Sequence, residues 1–355
     1  MNMDVHQILE AAARKNASDI FIIAGLPVSI KLNGHIERTD TDKLKPDDTN
    51  RILMEIYQIS GRSPKLMEET GDDDFSFSIP GVARFRVSVY QQRGSLAAVI
   101  RVVAFDLPDP KVLGIPDMVV ELGMKKKGLI LVTGPAGSGK STTLACMIDR
   151  INHQANRHVI TLEDPIEYLH RHDNSIISQR EIATDTKSYT VALRAALRQS
   201  PDVILLGEMR DFETMSIAMT AAETGHLIIS TLHTMGAVNT IDRIIDEFPP
   251  SQQHQIRVQL AMVLEAVVSQ QLVPTVDGAV VPAVEIMVCN TAVRNLIRES
   301  KTHQIDSVIA TSAQEGMITM DASLLSLYGK GIIDRKQALA YSMAPEMMEK
   351  RLNRV

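Results

Sequence analysis

The stretch Gly-Pro-Ala-Gly-Ser-Gly-Lys-Ser at residues 134–141 decides the fold of this chain. An apolar run at 129–133 precedes it, and residues 142–152 follow with a helical pattern. A buried strand, a glycine-rich turn and a helix in this order are typical of a phosphate-binding loop, because glycines let backbone N–H groups converge on an anion. The helix adds the partial positive charge of its N-terminus.

The residue types in the loop predict binding of ATP with Mg²⁺. Lys140 supplies the cation for the β- and γ-phosphates, and the Ser141 hydroxyl is a ligand for Mg²⁺. The residues expected to contact nucleotide are Gly134, Pro135, Ala136, Gly137, Ser138, Gly139, Lys140, Ser141 and Thr142.

Composition narrows the class of protein. A chain of 355 residues with 45% hydrophobic and 23% charged residues predicts a globular protein of two domains. The net charge of −6 and an aromatic content of 4% argue against nucleic acid as the main partner. Two cysteines without a CxxC pair argue against a zinc knuckle.

No apolar run approaches the roughly 20 residues of a membrane span, and no signal peptide is evident, so a cytoplasmic location without direct membrane insertion is expected.

The pattern along the chain changes at a proline-rich segment. Residues 1–104 alternate like an antiparallel sheet with helices, which predicts a small α+β domain. Residues 105–116 contain three prolines and are predicted to be a stiff linker. Residues 117–290 alternate apolar strands with helices, which predicts an α/β domain with a parallel sheet, and 291–355 are predicted to form a helical region.

Two carboxylates follow apolar strands downstream of the loop. Glu163 follows the run at 159–162 and is a candidate to orient or deprotonate an attacking water; the alternative is a helix N-cap before Pro165, which the adjacent Asp164 fits. Glu208 follows the run at 203–206 and is a candidate Mg²⁺ ligand, direct or through water. The alternative for Glu208 is a solvated loop carboxylate.

Histidines and arginines complete the candidate site. His226 and His233 bracket the apolar run at 227–231 and are candidates to sense the γ-phosphate; the alternative is a packing role. The arginines are candidates to reach the phosphates of a neighbouring subunit, against an alternative of surface ion pairs. They are Arg84, Arg86, Arg194, Arg198 and Arg210.

These segments together resemble the secretion ATPase superfamily and, within it, the type IV pilus retraction ATPases. The family's acidic box is matched at 161–168, its second nucleotide strand at 202–211 and its histidine box at 220–234. The helix at 292–299 matches the retraction branch. The resemblance extends from about residue 18 to about residue 317.

The resemblance implies a PAS-like N-terminal domain followed by a RecA-like ATPase domain. It also implies a cytoplasmic homohexamer, peripheral at the inner face of the membrane, that contacts an inner-membrane platform protein of the pilus and drives retraction by pilin disassembly. Arg84 and Arg86 would then act on the neighbour's nucleotide. The chain departs from the family at Phe21, where histidine is frequent, and at Ala136, where threonine is frequent.

Four other interpretations remain open at this point. A pilus-assembly or type II secretion ATPase shares the boxes but usually carries a four-cysteine zinc insert. An accessory paralogue of the retraction motor has nearly the same sequence pattern. A nucleic-acid translocase would require a basic stripe with stacking aromatics. A non-hydrolysing nucleotide scaffold is disfavoured by Lys140, Glu163 and Glu208.

Overall fold

The computed structural model describes residues 4–32, 34–103 and 107–353. The chain divides into two compact units. One comprises Met1–Leu107 with Glu167–Leu169, and the other comprises Pro108–Ile166 with His170–Val355. Residues 105 and 106 of the predicted linker lie outside the described residues.

The first unit is a six-stranded antiparallel sheet with helices. Its strands are β1 (Asp19–Ile22), β2 (Ser29–Leu32), β3 (His35–Arg38), β4 (Asp72–Ile79), β5 (Ala83–Gln92) and β6 (Ser95–Val103). Their order across the sheet is β3-β2-β1-β6-β5-β4. Its helices are α1 (Val5–Arg14), α2 (Pro46–Ser60) and α3 (Lys65–Thr70).

Alternation along β5 explains why this sheet has one buried face. Phe85 and Val87 are fully buried, whereas Arg86 between them is exposed. Phe85 stacks on Phe77 of β4 with ring centroids 5.5 Å apart. Because successive side chains of a strand point to opposite faces, the aromatic residues form the core and the arginines lie on the polar face.

The second unit is built on a mixed seven-stranded sheet with the order β13-β12-β7-β11-β10-β8-β9. The strands are β7 (Gly128–Thr133), β8 (His158–Glu163), β9 (Ile176–Glu181), β10 (Val203–Leu206), β11 (Leu227–Leu232), β12 (Leu264–Pro274) and β13 (Val280–Val288). Neighbours are parallel except for the antiparallel pair β12–β13. The α/β class is therefore confirmed, and the sheet fits a RecA-like ATPase domain.

Eleven α-helices accompany this sheet in the described residues. They are α4 (Asp117–Glu121), α5 (Lys140–Gln154), α6 (Tyr189–Ala196), α7 (Phe212–Glu223), α8 (Ala237–Asp246), α9 (Pro250–Val263), α10 (Thr291–Arg298), α11 (Ile305–Thr311), α12 (Met320–Gly329), α13 (Arg335–Ala340) and α14 (Pro345–Leu352). Three short 3₁₀ turns lie at Leu122–Met124, Thr302–Gln304 and Ala313–Glu315.

The parallel direction of the strands determines where the site lies. Strands β7, β10 and β11 are buried throughout and contain the apolar runs expected of strands covered on both faces. Because β7, β11, β10 and β8 are parallel, the residues that follow them meet at one edge.

A separate apolar core joins the C-terminal helices to the far ends of β12 and β13. It contains Val273 and Ala283 from the strands and Met320, Leu324 and Met348 from the helices.

The buried carboxylate of Glu285 also fixes helices to the sheet. Its Oε1 accepts from the backbone N–H of Ala237 at 2.8 Å, and its Oε2 accepts from that of Met320 at 3.4 Å. Burial raises the pKa of Glu285. The starts of α8 and α12 are thus held by one side chain.

None of the helices in the described part of the chain combines the length and apolarity needed to cross a bilayer.

The N-terminal core offers a test of the strand register. Phe85→Ala is expected to lower the free energy of unfolding of the first unit by about 3–5 kcal/mol, because a fully buried ring leaves a cavity. The control Ile36→Ala removes a side chain that is 63% exposed and should change little. The chain has no tryptophan, so urea unfolding is followed by far-UV circular dichroism. Equal effects of the two changes would contradict the assigned faces.

Candidate nucleotide site

The loop between β7 and α5 has the backbone shape of an anion cradle. Gly134, Gly137 and Gly139 take φ values of 142°, 74° and 84°, which only glycine adopts easily. Lys140 opens α5, and its Nζ donates to the carbonyl oxygens of Gly134 at 2.9 Å and of Pro135 at 2.8 Å. The buried ammonium therefore lies inside the curve of the loop, where phosphate oxygens can compete with these carbonyls.

The accessible part of the loop is its outer turn. Pro135, Ala136 and Gly137 are exposed, whereas Ser138 is 3% exposed. The hydroxyls of Ser138 and Thr133 are buried and have no hydrogen-bond partner among the described residues. Buried hydroxyls without partners are uncommon, and their position in and beside the cradle fits a site that takes a polar ligand.

The predicted carboxylates lie at the same edge as the loop. Glu163 is the last residue of β8, and the Thr161 hydroxyl donates to its Oε1 at 2.6 Å. Glu208 follows β10, where the Gly207 N–H donates to the Leu162 carbonyl at 2.8 Å. Counting strands from β7 at about 4.8 Å each, the ends of β10 and β8 lie roughly 10 and 14 Å from the loop. Both carboxylates thus lie at the same edge of the sheet as the loop.

Three further side chains lie near the carboxylate of Glu208. Its Oε2 is 2.6 Å from Arg210 Nε and 3.6 Å from His233 Nε2. The hydrogen bond to Glu208 raises the pKa of Arg210. Tyr189, at the start of α6, is close enough to be affected: burial and the Glu208 carboxylate raise the pKa of its hydroxyl. The structure therefore brings Arg210 and His233 to Glu208, and adds a tyrosine that sequence reasoning missed.

His226 lies at the opposite edge of the sheet. It precedes β11, whose first residue pairs with Gly128 at the start of β7, whereas its last residue pairs with Thr133 beside the loop. Six residue steps along the strand place His226 about 20 Å from that edge. Its Nδ1 lies 3.0 Å from the carbonyl oxygen of Ala221. Within this chain, the structure does not bring His226 to the loop.

Arg194 and Arg198 lie on the surface formed by α6 and α7. Arg194 Nη2 donates to Glu213 Oε1 at 2.9 Å, and Arg198 Nη1 donates to the Arg194 carbonyl at 2.9 Å. Both side chains are exposed. Their contacts are with Glu213 and with each other rather than with the loop.

Arg84 and Arg86 belong to the first unit. They share the polar face of β5, where Arg84 Nη1 donates to the Ser78 hydroxyl at 3.3 Å. Arg86 is exposed and pairs across the strands with Ser76 and Arg101.

The donor set at the edge fits a metal that arrives with a nucleotide. No group of three or more His, Cys, Asp or Glu side chains is placed to hold a metal in the described ranges. Nucleotide-bound Mg²⁺ needs only one or two protein oxygens beside phosphate oxygens and water. Ser141, half-buried in the first turn of α5 beside Thr142, and Glu208 supply such oxygens.

One glutamine beside the loop was also missed. Gln270 of β12 is buried and contacts Ser138 and Thr143. Its only signal in the sequence is a pair of glutamines inside an apolar strand, which by itself names no partner.

Comparison with known proteins places this site in a family. Residues 1–319 match the family model of the Type II/IV secretion system protein. The type IV pilus retraction ATPase PilT of Pseudomonas aeruginosa is 42% identical over 344 residues, covering 97% of this chain and 99% of PilT. The type IV pilus ATPase PilU of the same organism is 39% identical, covering 96% of this chain and 91% of PilU.

A solved structure agrees over the whole fold. The crystal structure of the pilus retraction motor PilT with bound ADP superposes with a TM-score of 0.89 at 46% identity, covering 98% of this chain and 100% of that one. The family model matches most of the chain, and PilT is 42% identical over nearly the full length of both proteins. This chain is therefore a member of the Type II/IV secretion system protein family.

Proposed function

We propose that this chain is an ATP-hydrolysing motor that drives type IV pilus retraction by pilin disassembly. The observation that carries the proposal is the cradle at 134–141, with Lys140 inside it and two carboxylates at the same sheet edge. Near full-length similarity to PilT supports it. The motor acts as a homohexamer at the cytoplasmic face of the inner membrane, on a platform protein of the pilus.

Nucleotide binding uses groups that the chain already holds in place. The Lys140 ammonium exchanges its contacts with two loop carbonyls for phosphate oxygens, so it need not leave water on binding. Ser141 and Glu208 would hold Mg²⁺, which would supply positive charge beside the triphosphate. Arg210 and His233 hold the Glu208 carboxylate in position.

Hydrolysis requires a group that positions water. Glu163 takes this role because it ends a strand at the loop edge and the Thr161 hydroxyl fixes its orientation. Tyr189 keeps its proton, since burial and nearby carboxylates raise the pKa of its hydroxyl, and so remains a hydrogen-bond donor at this edge.

The N-terminal unit contributes to the site of the next subunit. We infer that it is PAS-like, with Arg84 and Arg86 acting in trans; support comes from its antiparallel sheet with one apolar and one polar face. The limits 1–104, 105–116, 117–290 and 291–355 remain the proposed domain division.

A role as an accessory paralogue of the retraction motor is the second candidate. PilU, which is a type IV pilus ATPase whose name does not specify retraction, is nearly as similar to this chain as the retraction ATPase PilT is. A four-cysteine insert, as expected of many assembly or type II secretion ATPases, is impossible with two cysteines.

The first test of the proposed function concerns Glu163. Glu163→Gln should lower ATP turnover by about 10²–10⁴-fold and leave ATP binding nearly unchanged, because the amide keeps the shape but not the basicity. Turnover is measured by phosphate release and binding by equilibrium titration. The control Glu69→Gln changes a carboxylate that is 60% exposed on α3 and should be neutral. Full turnover by Glu163→Gln would remove this residue from the mechanism.

The second prediction tests whether the arginines act in trans. Lys140→Ala subunits and Arg84→Ala subunits should each be inactive alone. When they are unfolded, mixed in equal amounts and reassembled, about a quarter of the interfaces combine an intact lysine with an intact neighbouring arginine. Turnover should then return to about a quarter of the wild-type value. Arg14→Ala, in a side chain 77% exposed on α1, is the control. A mixture that stays inactive would refute a shared site, provided that the Arg84→Ala subunits bind nucleotide and the Lys140→Ala subunits assemble normally.

The third prediction separates a main motor from an accessory one. Deleting the gene in its own host should abolish pilus retraction, measured as twitching on a surface, and the wild-type gene should restore it. The Glu163→Gln gene should not. Retraction that persists at the normal level in the deletion strain would favour the accessory role.

A further inference from the structure

Gln270 is a buried polar side chain that the proposed mechanism does not use. It lies on β12 next to β7 and is 2% exposed. Burying an amide is costly unless both of its ends are bonded. Here both are: Nε2 donates to the Ser138 carbonyl at 2.7 Å, and Oε1 accepts from the Thr143 hydroxyl at 2.8 Å.

The two partners of Gln270 lie on either side of Lys140. Ser138 belongs to the closing half of the loop, and Thr143 lies in the first turn of α5. The amide therefore bridges the loop to the helix across the residue that carries the positive charge. Gly139 at the helix start has no side chain that could cap α5, so the Gln270 amide supplies a side-chain link at this point.

The loop glycines are matched to this strand. A Cβ on Gly134 would lie 2.2 Å from the Gln270 carbonyl oxygen, and one on Gly139 would lie 2.8 Å from Gln270 Nε2. Any other residue at either position would push Gln270 away. The close approach of β12 is thus a second reason for glycine at both ends of the loop, beside the positive φ.

We propose that Gln270 is a positioning residue for the nucleotide site: its amide joins the closing half of the loop to α5, so that the loop N–H groups and Lys140 converge on phosphate. This inference rests on the proposed ATPase function. Gln270 touches no phosphate in this role, and it acts by lowering the freedom of the loop before nucleotide binds.

The test compares two neighbouring glutamines. Gln270→Met keeps the size but removes both hydrogen bonds, and should weaken Mg-ADP binding about tenfold and raise the KM for ATP by a similar factor, with a smaller fall in kcat. Gln271→Met is the matched control: Gln271 is half-buried on the same strand and donates to the Tyr341 carbonyl at 3.1 Å, away from the loop. Its affinity for Mg-ADP should stay at the wild-type value.

Thr143→Val is a second variant that keeps the test valid if Gln270→Met fails to fold. It breaks the same bridge from the helix side, so it should weaken ADP binding, and the double variant should be no weaker than the stronger single variant. Wild-type affinity in both single variants, or equal losses in Gln270→Met and Gln271→Met, would overturn the proposal. Failure of the wild-type protein to hydrolyse ATP would instead overturn the proposed function.

Discussion

The loop at 134–141 in the second unit is organised around one buried ammonium group. Lys140 is only 9% exposed, and its charge is stabilised by two carbonyl oxygens of the loop. That arrangement requires a loop that turns its backbone inward, hence glycine at positive φ, and a rigid frame on both sides. The frame is a fully buried strand before the loop and a helix after it. When a triphosphate binds, the same ammonium gains an anionic partner. It has already lost most of its water during folding, so the free-energy cost of desolvating it is not incurred on binding.

Strand β12 connects this loop to the rest of the unit. Three consecutive side chains on it reach three different segments. Ser269 accepts from the Gly236 N–H at 2.9 Å, just before α8; Gln270 holds the loop; and Gln271 donates to the Tyr341 carbonyl at 3.1 Å between α13 and α14. The segment at Gly236 begins three residues after His233, which contacts Glu208. Strand β12 is thus hydrogen-bonded through its side chains to the loop, to the segment before α8 and to the segment between α13 and α14.

The sequence predicted the loop, the apolar strands and the two carboxylates because each is a local pattern with its own chemistry. It did not predict Gln270, since its partner Ser138 is 132 residues away and no local signal joins them. Tyr189 was missed for the same reason. His226 shows a different limit. Both histidines flank one strand, but the ends of a strand lie at opposite edges of a parallel sheet, so only His233 reaches the site. Placing residues by strand end rather than by proximity in sequence would have separated them.

The polar face of β5 carries a further argument for the proposed role of the N-terminal arginines. Arg86 lies directly opposite Arg101 on β6, and like charges at paired positions destabilise a sheet. Arg101 is compensated by Asp19, whose Oδ1 is 3.2 Å from its Nε. Arg86 is exposed, and its other cross-strand neighbour is the uncharged Ser76. Neither of the two residues directly paired with Arg86 offers it a stabilising charge. An anion that approaches this face from outside turns the same charge into a stabilising contact, as a neighbour's triphosphate would in the proposed ring.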